Sequence, residues 1–494
     1  MSASRPRLVV TLPGRTVDAL PPEIEAARAA GADLAEVRVD RMAPTERARL
    51  PVLFPAALPL LATFRSRVEG GEGDDDPALR RRELERLAAL PFRAIDVETA
   101  RDAIDGPFGP ETVRSSHLAA SASLEEIDRH FRGPAPPRGF VKVVVPSSVA
   151  RWLFELAPRV APADVGDAVV LATGPAGALS RVAAVRRGAP AVFCAPGRDR
   201  PPPDELEPVE PSQIPVDRLA RYRDAGARGP LFALVGRPVA HSRSPDVHAG
   251  WMAEDGRDGL YLPLELDDDR ELARVLPTLA RLGFAGINVT HPFKTAALSA
   301  ATRVERAAEV VGVANCLTLA DDEIEAQNTD LAAILRRLGE IRASGSWDGR
   351  NLAVVGSGGA ARATLAAARE LGAAARVYAR RGMVASELAR AFGAAAGQPS
   401  DPPVPLVVHA TSVGHAEAGT LEVPLEPRLA SGGLVLDWVY GAENTEVRVR
   451  TEARGGRYED GRRLLVYQAA ESYAIWWGEP PGPDSIERAI ARWT

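Results

Sequence analysis

The stretch that decides the fold of the second half of the chain is Leu352-Ala353-Val354-Val355-Gly356-Ser357-Gly358-Gly359-Ala360-Ala361-Arg362. Its apolar run predicts a buried strand, and the Ala-rich segment 363–371 after the glycines predicts a helix. Glycines at such a turn let the backbone approach a pyrophosphate, whose charge lies at the helix N-terminus. A plain strand–helix corner is the alternative. The motif predicts a dinucleotide site at Gly356, Gly358, Gly359 and Ala360.

A second predicted strand, 375–379, indicates which dinucleotide this site takes. An acidic residue about 20 residues beyond the glycines usually accepts the ribose hydroxyls of NAD. Here the strand is followed by Arg380 and Arg381. Two guanidinium groups suit a 2′-phosphate, so the sequence predicts NADP as the cofactor.

Composition limits the other classes of function. The 494 residues predict two or three domains, and 46% hydrophobic with 26% charged residues is a globular balance. The net charge of −6 and the absence of a basic stripe argue against a nucleic-acid partner. No apolar run reaches about 20 residues, which argues against a membrane span. Two distant cysteines, Cys194 and Cys316, and an N-terminus that enters a strand without a leader-like segment predict a cytoplasmic protein without a metal site.

The first half of the chain alternates short apolar strands with helical segments. This alternation predicts a (β/α)₈ barrel, with an open doubly wound sheet as the alternative. The predicted strands are Leu8–Leu12, Leu34–Asp40, Leu58–Arg65, Ala94–Glu98, Thr112–His117, Phe140–Val145, Ala168–Gly174 and Ala191–Ala195.

Several of these strands carry charges that a purely structural strand would lack. Alternation places Glu36, Arg38 and Asp40 on one face of the second strand. Lys142 lies inside the most apolar strand of this half. Burial favours the uncharged amine, which is the form that a Schiff-base nucleophile requires. The alternative is a lysine that reaches the barrel mouth or pairs with Glu36 or Glu98.

Further polar groups follow the strands: Thr63-Phe64-Arg65, Ser116-His117 and the segment 174–181, which ends in Arg181. Together with Lys142 they resemble type I 3-dehydroquinate dehydratase over residues 7–222. The resemblance implies that Lys142 forms an imine with a ketone, that His117 is the general acid and base, and that Glu98 orients the histidine. It also implies a set of substrate-binding residues, namely Glu36, Arg38, Arg65, Arg181 and Gln213.

The sequence departs from this family at the lid that follows the last strand. The usual Ser-Ala-Pro-Gly-Gln is replaced by Cys194-Ala195-Pro196-Gly197, a proline- and acid-rich insert 198–211, and then Ser212-Gln213. The lid is therefore expected to be longer than in the family, with Cys194 at its serine position and Gln213 at that of its glutamine.

The second half places polar residues in a characteristic order ahead of the glycine turn. Ser242-Arg243-Ser244-Pro245 by itself is typical of a helix cap or turn. It is followed by 286–294, which contains Asn288, Thr290 and Lys294, and then by Asn315 and Asn328-Thr329-Asp330. This order resembles shikimate dehydrogenase over residues 231–490. The resemblance implies a catalytic pair, Lys294 and Asp330, and substrate-binding residues Ser242, Ser244, Asn288, Thr290, Asn315 and Gln468.

The same resemblance continues on the cofactor side. It implies that Thr411, Ser412, Val439 and Gly461 contact NADP. In that family asparagine is common at the position of His409, and methionine at the position of His415. A glycine or an aromatic residue often follows the family's Asn-Thr-Asp, where this chain has Leu331. None of these departures removes a reacting group.

The chain is therefore expected to be α/β, with an N-terminal (β/α)₈ barrel followed by a two-domain α/β dehydrogenase with a Rossmann-type NADP domain. The expected boundaries are 1–225 for the barrel, 229–335 for the substrate-binding domain, 336–460 for the NADP domain and 461–494 for helices that return to the substrate domain. Because the product of one implied reaction is the substrate of the other, we expect a bifunctional enzyme of the shikimate pathway. Its partners would be 3-dehydroquinate, 3-dehydroshikimate and shikimate. The alternatives are a shikimate or quinate dehydrogenase with an inactive barrel, and a small-molecule sensor.

Overall fold

The structure is a computed structural model that describes residues 5–102, 109–160, 167–197, 212–240, 242–320, 323–414, 428–441 and 445–492. Contacts divide the chain into two compact units, residues 1–231 with 256–267, and residues 232–255 with 268–494. The insert at 198–211 and His415 lie outside the described residues. Among the described residues no helix is long and apolar enough to cross a membrane.

The first unit is built on eight parallel strands: β1 Arg7–Leu12, β2 Leu34–Arg38, β3 Leu60–Thr63, β4 Ala94–Glu98, β5 Glu111–His117, β6 Gly139–Pro146, β7 Ala168–Thr173 and β8 Ala191–Cys194. The helices are α1 Leu20–Ala29, α2 Pro44–Arg49, α3 Pro77–Ala88, α4 Leu124–Phe131, α5 Val149–Arg151, α6 Ala157–Val160, α7 Gly177–Arg187 and α8 Val216–Asp224. Side chains fix three of the helix starts, since Asp76 caps α3, Ser123 caps α4 and Ser148 caps α5.

The strand order β7-β6-β5-β4-β3-β2-β1-β8 is that of a nearly closed barrel. Strands that are consecutive in the chain lie next to each other, and β8 pairs with β1, Val9 opposite Phe193. An open doubly wound sheet would instead reverse its strand order at one point. The predicted barrel is therefore confirmed, and the carboxyl ends of its strands form one face.

The strands after residue 230 are β9 Leu231–Gly236, β10 Leu260–Glu265, β11 Phe284–Val289, β12 Arg303–Val304, β13 Cys316–Ala320, β14 Glu323–Gln327, β15 Asn351–Val355, β16 Ala374–Tyr378, β17 Ala395–Ala396, β18 Val404–His409, β19 Leu429–Asp437 and β20 Arg457–Glu459. The helices are α9 Ser244–Glu254, α10 Asp269–Arg281, α11 Lys294–Ala300, α12 Arg306–Val311, α13 Thr329–Ala343, α14 Gly359–Glu370, α15 Gly382–Phe392, α16 Glu446–Ala453, α17 Arg462–Trp477 and α18 Pro483–Ala491.

Two sheets organise this half. In one of them β9, β11, β13, β14 and β12 follow one another in that order. The other is parallel, with the order β17-β16-β15-β18-β19-β20, so the chain moves outward from β15 first to one side and then to the other. This is the doubly wound order, and a ligand is expected where the order reverses, at the carboxyl ends of β15 and β18. The predicted Rossmann-type domain is confirmed.

The central strand β15 shows why this sheet is buried on both faces. Leu352 and Val354 pack into a core with residues of α13, α14 and α15, and Ala353 and Val355 pack into a second core on the opposite face. The sequence of a strand that is covered on both faces is a continuous apolar run, and residues 352–355 have this pattern.

Candidate active sites

The charged residues of the barrel strands meet at the carboxyl-terminal face, because parallel strands end on the same rim. Despite their charge they are buried: Glu36, Arg38, Asp96, Glu98 and Lys142 are each at most 4% exposed. Burial at this cost is sustained only where charges pair or hydrogen-bond, so their partners define the site.

Lys142 pairs with a residue to which the sequence had assigned no role. Its Nζ donates to Asp96 Oδ2 at 2.7 Å and lies 4.3 Å from the centre of the Phe193 ring. Ser115 Oγ donates to the other carboxylate oxygen of Asp96 at 2.5 Å. Glu36, one of the two partners considered for Lys142, instead accepts hydrogen bonds from the hydroxyls of Thr11 and Thr63.

Asp96 is held in its charged form. Burial alone would raise the pKa of Asp96, but the positive charges of Lys142 and Arg65 and the hydrogen bonds from Lys142 and Ser115 outweigh that effect and lower it. Lys142 therefore faces a carboxylate, and only its uncharged amine can act as a nucleophile.

The carboxylate that contacts His117 is Glu69, not Glu98. Glu69 Oε2 lies 3.0 Å from His117 Nδ1 and accepts the backbone N–H of His117 at 3.1 Å. Glu98 accepts the backbone N–H of Ser66 and lies 3.2 Å from an Arg80 nitrogen. The expectation that Glu98 orients the histidine is wrong in the structure, because an arginine of α3 holds that carboxylate.

The electrostatics of the His117–Glu69 pair keep the histidine uncharged and bring the pKa of the carboxyl group close to neutral pH. Burial, with the negative charges of Glu98 and Asp96, raises the pKa of Glu69 to about 7. Burial, with the positive charges of Arg65, Lys142 and Arg38, lowers the pKa of His117 well below its usual value. An uncharged histidine near neutral pH is a competent general base.

Three arginines differ in how far their nitrogens are already used. Arg38 forms a buried bidentate pair with Asp40, at 2.9 and 2.7 Å. Arg181 donates to the backbone carbonyls of Phe193, Ala172 and Gly177. Arg65 has a buried Nε and Nη2 without a hydrogen-bond partner among the described residues, and Nη2 lies 3.7 Å from Asp96. Arg65 is therefore the arginine with donors to spare for an anionic ligand.

Gln213 lies in the segment that follows the insert. This segment pairs with the chain just after β8: Ala195 N–H donates to the carbonyl of Ile214, and Val216 N–H donates to that of Ala195. Gln213 is half-buried there, next to the end of a barrel strand. Its role as a lid residue stays a prediction.

The second unit brings together the lysine and the aspartate that the sequence paired. Lys294, the first residue of α11, donates from Nζ to Asp330 Oδ2 at 2.6 Å. Asn315 Nδ2 donates to the other oxygen of Asp330 at 2.9 Å. Asn328 caps α13 and thereby fixes the position of Asp330 in the first turn. The pair is less enclosed than Lys142–Asp96, since the Lys294 side chain is 21% exposed.

A buried amide and hydroxyl cluster adjoins this pair. Asn288 Nδ2 donates to Ser472 Oγ at 2.7 Å, and Ser472 is within 3.3 Å of the Thr329 hydroxyl. Asn315 Oδ1 accepts the Thr329 N–H, and Gln468 Oε1 lies 3.5 Å from Asn315 Nδ2. The structure therefore joins three of the predicted substrate residues, Asn288, Asn315 and Gln468, to the Lys294–Asp330 pair.

The remaining predicted residues lie on the loops after β9 and β11. Ser242 Oγ accepts the backbone N–H of Ser244, and Thr290 N–H donates to the carbonyl of Val235. Tyr440, after β19, forms a side-chain hydrogen bond with Ser242, and burial raises the pKa of its phenol. Tyr440 had been assigned no role, because a tyrosine at a strand end carries no periodic signal.

The glycine turn between β15 and α14 fits a dinucleotide. Gly356 has φ +141°, and a side chain there would collide with the carbonyl of Ala410. A Cβ on Gly359 would lie 2.9 Å from Lys294 Cδ, whereas a Cβ on Gly358 would meet no described atom within 4 Å. Helix α14 starts at Gly359 without a side-chain cap, which leaves its first N–H groups for an anion.

The other predicted cofactor residues lie at neighbouring strand ends. Arg380 and Arg381 are exposed after β16, and Ser412 is exposed after β18. The carbonyl of Val439 accepts the N–H of Gly461, where α17 begins. Thr411 is half-buried and contacts His409. These residues can hold the phosphates and riboses of NADP, but their assignment stays a prediction.

Fold and site define the class of protein: a barrel with a buried lysine, joined in one chain to a nucleotide-dependent dehydrogenase. Residues 8–223 match the family profile of type I 3-dehydroquinase, and residues 234–317 match that of the shikimate dehydrogenase substrate binding domain.

Relatives extend the second match. A shikimate dehydrogenase (NADP(+)) of Acidiphilium cryptum is 38% identical over 268 residues, which cover 53% of this chain and 95% of the relative. That of Anaeromyxobacter sp. is 36% identical and covers 53% and 96%. The chain belongs to the shikimate dehydrogenase family, and ahead of that part its residues 8–223 match the model of the type I 3-dehydroquinase family. The suspected two-enzyme composition is confirmed, and a barrel that is only a remnant is not favoured.

Solved structures are also similar to this chain. Shikimate 5-dehydrogenase of Thermus thermophilus, in complex with NADP(H) and shikimate, is 30% identical, with a TM-score of 0.48 and coverage of 54% of this chain and 100% of that one. A dehydroquinate dehydratase and shikimate dehydrogenase from S. pombe covers 99% of this chain and 98% of that one, at 19% identity and a TM-score of 0.44.

Proposed function

We propose that this chain converts 3-dehydroquinate to shikimate in two steps, dehydration in the barrel and NADPH-dependent reduction in the second unit. The observation that carries the first step is the buried Lys142 next to Asp96 and the uncharged His117. The observation that carries the second is the Lys294–Asp330 pair beside the glycine turn. The relatives, which are named as NADP(+) shikimate dehydrogenases, support the choice of substrate and cofactor.

In the barrel, the Lys142 amine attacks the ketone carbon of 3-dehydroquinate, and loss of one water gives an imine. The protonated imine withdraws electrons and acidifies the adjacent C–H, so that His117 can remove that proton. The same histidine then protonates the departing hydroxyl group, which leaves as water. A further water hydrolyses the imine, releases 3-dehydroshikimate and restores Lys142, so the net change is the loss of one water.

The polar residues around Lys142 would hold the substrate. Arg65, whose buried Nε and Nη2 have no hydrogen-bond partner among the described residues, suits the substrate carboxylate. Glu69 would fix the ring of His117 through Nδ1, which leaves Nε2 for the substrate. Glu36, Arg38, Arg181 and Gln213 complete the proposed set.

In the second unit, NADPH supplies a hydride when it is bound. Negative charge then develops on the ketone oxygen of 3-dehydroshikimate, and the Lys294 ammonium stabilises and protonates that oxygen. Asp330 keeps the ammonium in place through its 2.6 Å contact. Asn288, Asn315, Gln468, Thr290, Ser242 and Ser244 would hold the substrate carboxylate and hydroxyls.

The proposed domains keep the boundaries expected from the sequence. They are 1–225 for the dehydratase, 229–335 for substrate binding, 336–460 for NADP binding and 461–494 for the returning helices. In support, α17 packs against α9 and α13.

A single-pot assay tests the proposal. Purified protein receives 3-dehydroquinate while the enone absorbance is followed, and NADPH is added afterwards. We expect the absorbance to rise and NADPH then to be oxidised. If no enone forms although added 3-dehydroshikimate is reduced, the dehydratase half of the proposal is wrong. Shikimate should exceed quinate in kcat/KM for the reverse oxidation, and a preference for quinate would overturn the substrate assignment.

A further inference from the structure

One buried carboxylate ties together two loops at the proposed cofactor site. Asp437, at the end of β19, is fully buried, and its Oδ1 accepts hydrogen bonds from the Val439 N–H at 2.9 Å and from His409 Nδ1 at 2.8 Å. Tyr458 OH donates to the other oxygen at 2.9 Å. His409 is fully buried as well, and it ends the neighbouring strand β18.

The partners of His409 assign its ring tautomer. Asp437 accepts from its other partners, so Nδ1 carries the proton that faces it, and in the neutral ring Nε2 is then an acceptor. The Thr411 hydroxyl lies 2.6 Å from Nε2 and donates to it in that tautomer. Its oxygen in turn accepts the Val413 N–H at 3.1 Å. Every group in this chain of hydrogen bonds from Asp437 to Val413 has its partner.

The consequence for Thr411 is specific. Its hydroxyl proton is committed to His409 and its hydroxyl oxygen to Val413, so the turn 411–413 has one preferred orientation. The same carboxylate fixes Val439 on the adjacent loop. A Cβ on Gly414 would lie 3.2 Å from Val439 Cγ1, so a side chain at position 414 would crowd the loop at Val439. Both loops follow the carboxyl ends of strands beside the glycine turn, where a doubly wound sheet binds its ligand.

We propose that the Asp437–His409 pair is a positioning device for NADPH. It presets the turn at Thr411 and the loop at Val439 in the arrangement that receives the cofactor, which lowers the cost of ordering them on binding. The inference rests on the proposed function, because it takes these loops to be part of the cofactor site. His409 acts through Thr411 and is not expected to touch a reacting atom.

Binding of NADPH to the full chain tests this inference without turnover. His409→Asn retains an amide donor for Asp437 but is too short to reach Thr411, and Thr411→Val removes the hydroxyl at nearly constant shape. Each removes the Thr411–His409 hydrogen bond and should raise the Kd for NADPH, measured by titration calorimetry, at least about fivefold. Thr411→Val also removes the acceptor of the Val413 N–H, so the double variant should be no weaker than Thr411→Val alone. Effects that multiply, or an unchanged Kd in either single variant, would overturn the proposal.

Two matched variants separate positioning from stability. Thr411→Ser retains the hydroxyl and should bind NADPH more tightly than Thr411→Val does; this pair also decides the matter if His409→Asn does not fold. Tyr458→Phe removes a hydrogen bond from the same carboxylate but not from either loop, and a Kd raised as much as in His409→Asn would trace the effect to general loosening and overturn the proposal. If the unsubstituted chain binds NADPH but does not reduce 3-dehydroshikimate, only the proposed function is contradicted. If it does not bind NADPH, the proposed function and the positioning role of Asp437–His409 are both contradicted.

Discussion

Both proposed active sites contain a lysine paired with an aspartate, and the two pairs have nearly the same length. Lys142 lies 2.7 Å from Asp96 in the barrel, and Lys294 lies 2.6 Å from Asp330 in the second unit. Their surroundings differ: the Lys142 side chain is 3% exposed, under the Phe193 ring, whereas that of Lys294 is 21% exposed at the start of a helix.

This difference indicates that the surroundings of each lysine, and not its pairing with an aspartate, determine which reaction the lysine can carry out. In the barrel the lysine is almost fully buried, with a neutral histidine nearby that can move protons, which suits a lysine that becomes a nucleophile. At the second site the ammonium lies beside an amide and hydroxyl cluster and an open glycine turn, which suits a lysine that gives its proton to a developing alkoxide. The following predictions test this division.

The largest effect is expected from removal of the barrel lysine. Lys142→Ala should lower 3-dehydroquinate dehydration on the order of 10⁴-fold or more, because no other group can form the imine. Enone formation measures this loss, and reduction of added 3-dehydroshikimate is the internal control for folding. Lys294→Ala is the reciprocal variant and should lower only the reduction, about 10²- to 10⁴-fold. Substantial dehydration by Lys142→Ala would mean that the two lysines do not differ in role.

Stability should separate the two pairs next. Asp96→Asn leaves a buried ammonium without its counter-charge and should cost about 3–5 kcal/mol of unfolding free energy. Asp330→Asn, whose lysine is partly solvated, should cost about 1–2 kcal/mol. Calorimetry of the full chain measures both as shifts in Tm. Equal shifts would contradict the claim that burial distinguishes the pairs.

The pH dependence of dehydration should show which carboxylate contacts His117. This is the smallest of the expected effects. Glu69 has its pKa raised to about 7, so it is protonated below that pH and becomes an acceptor for His117 Nδ1–H above it. Dehydration kcat/KM should therefore rise with pH across about 6–8, by at most about tenfold per unit, and Glu69→Gln should lose this limb.

Glu98→Gln is the matched control for this profile. The charge of Glu98 is one cause of the raised pKa of Glu69. Glu98→Gln should therefore retain the rise of kcat/KM with pH and move it to lower pH. Loss of the limb in Glu98→Gln, with its retention in Glu69→Gln, would restore Glu98 as the partner of His117.

The two glutamates show where prediction from sequence stops. Alternation in β4 correctly places Asp96 and Glu98 on one face, and it is silent about Arg80, which reaches Glu98 from α3. Glu69 follows β3 in a loop without periodicity, so its contact with His117 could not be derived from spacing. The choice of Asp96 as the partner of Lys142 depended in the same way on neighbouring strands, since Ser115 and Lys142 come from β5 and β6.

The sequence by itself determined the architecture, because short apolar runs that alternate with helical segments, and the glycine turn with the two arginines after it, are local signals with a fixed structural meaning. It also indicated which residue types could react, since a lysine in an apolar strand is costly to bury unless it is paired or neutralised. Only the tertiary structure decided which charges face each other: Glu69 on His117, Asp96 on Lys142, and Asp437 on His409 and Val439. Such pairings join residues from 2 to 48 positions apart in the chain, and their distances depend on how strands and loops pack in three dimensions.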